Sequence, residues 1–96
     1  MTEARFLKLV TAATGTTWTA PTSITNVTVL HVINNTGATW EFRRTGDTSN
    51  TFQLPNGLAY SFRGLTNANQ LEFRRADTSN VQLTAFAEAE QEQSTN

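Results

Sequence analysis

The sequence predicts an all-β protein, a small antiparallel β-sandwich or jelly roll of about eight short strands with a duplicated hairpin and an extended acidic C-terminal tail. Three observations carry this expectation. The chain is rich in threonine, and a β-branched side chain restricted at χ1 suits a pleated surface better than a helix. Short apolar runs alternate with clusters of Gly, Asn, Asp, Ser and Thr, and only two prolines occur, the punctuation of strands joined by turns. A strand-and-turn motif is used twice: Glu41-Phe42-Arg43-Arg44, followed by Asp47-Thr48-Ser49-Asn50, returns as Glu72-Phe73-Arg74-Arg75 and Asp77-Thr78-Ser79-Asn80.

The predicted strands are 5–10, 16–20, 27–33, 40–44, 51–54, 59–63, 71–75 and 81–86. Residues 1–86 then form a single β-sandwich domain and 87–96 an acidic tail. Two copies of a unit are too few for a solenoid, so the repeat predicts two superposable hairpins, 40–54 and 71–83, with Gly46 absorbing the one-residue difference between them. Successive strand residues face opposite sides. Trp40 and Phe42 therefore share a face with Arg44, and Leu71 and Phe73 share one with Arg75. The opposite face carries Glu41 with Arg43 and Glu72 with Arg74, an outward acid–base pair on each strand.

Length and composition bound what such a domain can do. Ninety-six residues make one domain, and a chain of this size buries only about 60–65% of its unfolded surface. Its net charge of −1 and clustered apolar residues argue for a folded chain, although a thin-cored one. Domains this marginal lean on disulfides, metals or association, and with no cysteine and a single histidine, His31, association or docking is what remains. The absence of cysteine removes thiolate zinc sites, redox motifs and disulfides together. The longest apolar stretch, 29–33, is far too short to span a bilayer, so no membrane partner is expected. The opening Met1-Thr2-Glu3-Ala4-Arg5 lacks the order of a secretory signal, which places synthesis in the cytosol.

No residue set calls for catalysis or a cofactor. A nucleophilic or acid–base site needs a base with named partners, and His31 stands in the middle of the most apolar strand, where a core or interface histidine is the plainer reading. Asp47 and Asp77 read as turn formers that bond their own backbone. The loops holding them offer one carboxylate each, too few for calcium, and no metal or cofactor site is assigned. Arg43-Arg44 and Arg74-Arg75 lie near aromatics, as in single-strand binders. However, Trp40, Phe42 and Phe73 fall on the opposite parity from Arg43 and Arg74, and the pI of about 5.7 is the reverse of a nucleic-acid footprint. Six arginines against one lysine suit protein partners instead, since guanidinium binds carboxylates bidentately and is enriched at interfaces. The candidate partner-binding residues are Arg43, Arg44, Arg74 and Arg75, with Glu88, Glu90 and Glu92 of the tail, whose i, i+2 spacing puts three carboxylates on one side of an extended chain.

The Thr/Asn-rich strands, the opening Phe6-Leu7-Lys8-Leu9-Val10 and the twice-used Glu-Phe-Arg-Arg…Asp-Thr-Ser-Asn unit resemble small virion proteins of tailed bacteriophages, most nearly the capsid cement or decoration proteins. The resemblance is one of texture across most of the chain. It implies a non-enzymatic protein on the outer capsid surface that stabilises the head by binding across neighbouring subunits of the major capsid protein, as a homo-oligomer, often a trimer. The alternative is a carbohydrate-binding or structural module of a phage tail, neck or fibre, with Trp18 or Trp40 as the sugar platform.

Overall fold

The computed structural model describes residues 2–92, arranged as two antiparallel sheets packed face to face. Seven strands form them: β1 (Thr2–Val10), β2 (Val27–Ile33), β3 (Trp40–Arg44), β4 (Phe52–Leu54), β5 (Ala59–Arg63), β6 (Leu71–Arg75) and β7 (Thr84–Glu92). The larger sheet has the order β1-β7-β2-β5 and the smaller β4-β3-β6. The small β-sandwich expected from the sequence is thus what the chain forms.

The core lies between the sheets and is built by parity. Leu9, Ala85, Ala87 and Ala89 face inward from β1 and β7, and Trp40, Phe42, Leu71 and Phe73 face them from β3 and β6. Small residues on one layer against large rings on the other let the layers interdigitate. Trp40 stacks on Phe73 at 5.0 Å, and Phe42 reaches Phe62 of the opposite sheet at 5.1 Å. Strand β2 needs one irregularity. Its register against β7 slips between Val27 and Val29, a bulge that takes up Thr28 and turns Val27 to the same buried side as Leu30 and Val32.

One buried polar group fixes the corner after β2. Asn34 has no exposed surface, and its amide donates to the carbonyls of Ala38 at 2.8 Å and Leu54 at 2.7 Å. Its Oδ1 accepts from the Thr36 hydroxyl at 2.7 Å, and Thr36 in turn accepts from the Trp40 indole at 3.0 Å. The network places Trp40 in the core with its one polar atom satisfied.

Three expectations are corrected. First, residues 16–20 form no strand. They run along the free side of β6 and pair only at Thr19, which exchanges two backbone bonds of 2.9 Å with Phe73. Pro21, lacking an amide hydrogen, cannot extend the ladder. Second, β3 and β4 make the first hairpin, but 71–83 does not make a second one. Thr19 occupies the side of β6 where a returning strand would lie, so the chain leaves at residue 81 and joins the other sheet, with Leu83 bonded to Thr11. Third, the acidic segment from Ala87 is extended but is not a tail. Up to Glu92 it is the second half of β7, paired with β1 on one side and β2 on the other; residues 93–96 lie outside the described residues.

The two Asp-Thr-Ser-Asn segments do build turns as expected. Asp47 Oδ1 accepts from the amides of Ser49 at 2.9 Å and Asn50 at 3.3 Å, and Asp77 Oδ1 from Ser79 at 3.1 Å. Gly46, at φ +85°, takes the left-handed conformation that the longer first turn requires. The second turn also packs: a Cβ on Gly15 would run into the carbonyl oxygens of Thr78 and Ser79, and the Gly15 amide donates to Asn80 at 2.9 Å. The hydrogen bonds hold both carboxyls below the ordinary aspartate value of 3.8, chiefly through the Ser49 amide at Asp47 and the Arg75 side chain at Asp77. A depressed folded-state value means the turns' contribution is complete above pH 3.8 and is lost as pH falls through the lower folded value. A carboxyl NMR titration should find both aspartates protonating below 3.8; a midpoint above it would remove these hydrogen bonds from the account.

Candidate docking surface

The repeat acquires its meaning from register. β3 and β6 are neighbours, and Phe42 lies opposite Phe73, Glu41 opposite Arg74 and Arg43 opposite Glu72. Glu-Phe-Arg is complementary to itself when two copies run antiparallel, because each Glu meets the other copy's Arg and the two Phe meet in the middle. The ion pairs expected within each strand therefore form between strands, Arg43 Nε to Glu72 at 2.5 Å and Arg74 Nε to Glu41 at 2.8 Å. Both guanidinium groups stack on the Trp18 ring, that of Arg43 at 4.1 Å and that of Arg74 at 4.4 Å from its centroid, a cation–π arrangement.

This cluster uses up two of the arginines singled out from sequence, and the Asp77 turn a third. Arg43 and Arg74 hold Glu72, Glu41 and Trp18, and Arg74 also donates to the Thr16 carbonyl at 3.1 Å. Arg75 binds Asp77 through two nitrogens and the Val81 carbonyl through a third bond of 3.1 Å. Arg44 alone is exposed and forms no ion pair among the described residues. The proposed sugar platforms are also committed elsewhere: Trp40 is wholly buried, and Trp18 is stacked against arginines.

The three glutamates fall on the outer face of the larger sheet, as their spacing required. The ladder arranges that face in rows. Lys8, Phe86, Ile33 and Ala59 form one, Phe6, Glu88, His31 and Ser61 the next, and Ala4, Glu90, Val29 and Arg63 a third. Phe6 is 80% exposed, Phe86 61% and Ile33 54%, and Val10 is exposed beside them. Four large apolar side chains thus stand together on a sheet face that no described element covers. Sequence parity could have found this patch, because Phe6, Lys8 and Val10 alternate with Leu7 and Leu9 on β1.

His31 stands at the centre of that face. Its Nδ1 lies 2.6 Å from the Ser61 hydroxyl, and its Nε2 bonds the Glu90 carboxylate. An ionised Glu90 can only accept, so in the neutral ring Nε2 carries the hydrogen and Nδ1 accepts from the Ser61 hydroxyl. The residue types match a hydrolytic triad, but a triad also needs donors aimed at a developing oxyanion. Here the sheet amides lie in the sheet plane, at right angles to the side chains. The set orients an imidazole on a surface. No known family model matches the chain, and neither a curated protein nor a solved structure is similar to it.

Proposed function

We propose that the chain is a non-enzymatic virion structural protein, a cement or decoration protein of a phage head, that lays the outer face of its larger sheet across neighbouring subunits of the major capsid protein on the outer capsid surface and acts as a homo-oligomer. The observation that carries the docking part is the uncovered cluster of Phe6, Val10, Ile33 and Phe86, bordered by Lys8, Glu88 and Glu90. Contiguous exposed apolar side chains ringed by charge mark protein interaction sites, and large aromatics are the residues that anchor them. The virion assignment rests on the sequence texture.

The test is addition of the purified protein to protein shells assembled without it, measured by co-sedimentation. Saturable addition is expected, and the double variant Ile33→Lys/Phe86→Asp should lose at least ~10-fold in apparent affinity, the effect of removing about 1.4 kcal/mol. Its melting temperature should change little, because both side chains are more than half exposed and the two new opposite charges face each other across the ladder. Shells that take up no protein, or take up the double variant equally well, would refute the proposal.

A further inference from the structure

The larger sheet has two open edges, β1 and β5, and they differ in kind. The first five residues of β1, Thr2 to Phe6, are exposed throughout and pair only with the end of β7, so this end of the strand stands clear of the core. β5 has five residues and borders a cleft between the sheets of about 200 Å³, lined by Phe42, Phe52, Leu54, Tyr60 and Phe62. A second pocket, sharing Phe42, Phe52, Tyr60 and Phe62, is also lined by Arg44 and Arg63, and neither forms an ion pair among the described residues.

We infer that β5 receives the β1 arm of a second copy of this chain, so that copies associate head to tail into one continuous sheet. Strand direction permits it. The four strands alternate strictly, and β1 of the next copy placed beside β5 runs antiparallel to it with its inward side chains on the inward side. One register matches the two five-residue segments end to end: Phe6 of the second copy opposite Ala59, Arg5 opposite Tyr60, Ala4 opposite Ser61, Glu3 opposite Phe62 and Thr2 opposite Arg63.

The chemistry of that register is complementary at three of its five positions. Phe6, left in water by its own fold, continues the apolar row of Ala59, Ile33 and Phe86 on the neighbour. Arg5 lies over the exposed Tyr60 ring, where a guanidinium is attracted to the π face. Glu3 falls on the inward side opposite Phe62, which lines the same pocket as Arg44. The arm lies beside Glu88, Glu90 and Glu92 of β7 and holds Glu3 with one base, Arg5, 3.9 Å from it, so its surroundings are acidic where the receiving edge is basic. Pairing two different surfaces closes into a ring or runs as a filament, and either places the outer faces of all copies side by side. The interface rests on the self-association in the proposed function but not on its capsid assignment.

The chain has no cysteine, which makes crosslinking decisive. Within one chain β1 and β5 are three strand spacings apart, roughly 14 Å, and a disulfide spans at most about 7 Å between Cα atoms, so any bridge between them joins two molecules. Single variants Ala4→Cys and Ser61→Cys are mixed and oxidised, with Thr2→Cys and Arg63→Cys as a second pair that spares the His31 contact. The mixed dimer is expected to dominate in both pairs, and the doubly substituted chains should form higher multimers. Symmetric Ala4→Cys dimers in place of the mixed product, or monomer throughout, would overturn the inference. Failure of shell addition with crosslinking intact would count against the capsid reading alone.

Discussion

Ending the chain at Ala87 should abolish the cooperative thermal transition. The deletion removes the half of β7 that lies between β1 and β2, including the buried Ala89, the pairing of Thr2 through Phe6 with β1's only neighbour, and the pairing of Val27 through His31. Each net hydrogen bond contributes about 0.5–1.5 kcal/mol, and loss on both sides of a central strand approaches the whole ~5–15 kcal/mol that holds a domain of this kind together. A chain ending at Glu92 keeps every one of these contacts and should retain the cooperative transition. Circular dichroism on the two truncations decides the matter. A chain ending at Ala87 that still melted within a few degrees of the full chain would show that the segment is an accessory after all.

The second large effect is expected at the centre of the repeat. Phe73→Ala removes a fully buried ring that stacks on Trp40, packs 6.1 Å from Phe42 and lies where the two Glu-Phe-Arg segments cross. Truncating a buried Phe costs about 3–5 kcal/mol, and in a domain of this size each kcal/mol moves the melting temperature by roughly 4–8 °C. The substitution should therefore leave the protein largely unfolded near body temperature or only weakly folded at room temperature. Phe52→Ala is the matched control. That ring is 65% exposed, and its loss should cost under about 1 kcal/mol, the range of surface substitutions. Equal melting temperatures for the two variants would mean that the smaller sheet does not pack as described.

These two expectations also mark where the sequence could be read and where it could not. Local signals were sufficient for β2, β3, β5 and β6, because each is a short β-branched or aromatic run closed by Gly, Asn or Asp. They also placed Trp40, Phe42, Leu71 and Phe73 inside and Arg43 and Arg74 outside. The partnership of β3 with β6 was not legible from either segment alone. It needed the recognition that Glu-Phe-Arg pairs with its own reverse, which turns a repeat from a sign of two hairpins into a sign of one shared ladder. The Asp77–Asn80 turn looks like its counterpart at Asp47–Asn50, and nothing local says that Thr19 already holds the free side of β6. The charge of the segment after Phe86 reads as a tail, and the i, i+2 spacing of its glutamates gives one side of an extended chain without saying that the other side is buried. Ala85, Ala87 and Ala89 alternate strictly with larger or charged residues, the pattern of a half-buried strand, and alanine is small enough that its burial leaves little trace in hydropathy. The arginine candidates fared unevenly for a related reason: a guanidinium next to a complementary carboxylate two strands' worth of sequence away is satisfied inside the fold, whereas Arg44 had no such mate.

The position of β7 sets the order in which the molecule can be made. Strands β1, β2 and β5 all leave the ribosome before β7, yet β1 has no partner and β2 only one until Thr84–Glu92 is synthesised. The smaller sheet is different, since β3, β4 and β6 are all present once Arg75 has emerged. Co-translational folding should therefore begin with the aromatic layer, while the alanine-lined layer waits for the seventh strand to slide between two strands already made. During that interval the edges of β1 and β2 are both open, the condition in which nascent chains on one polysome pair with each other instead of with themselves.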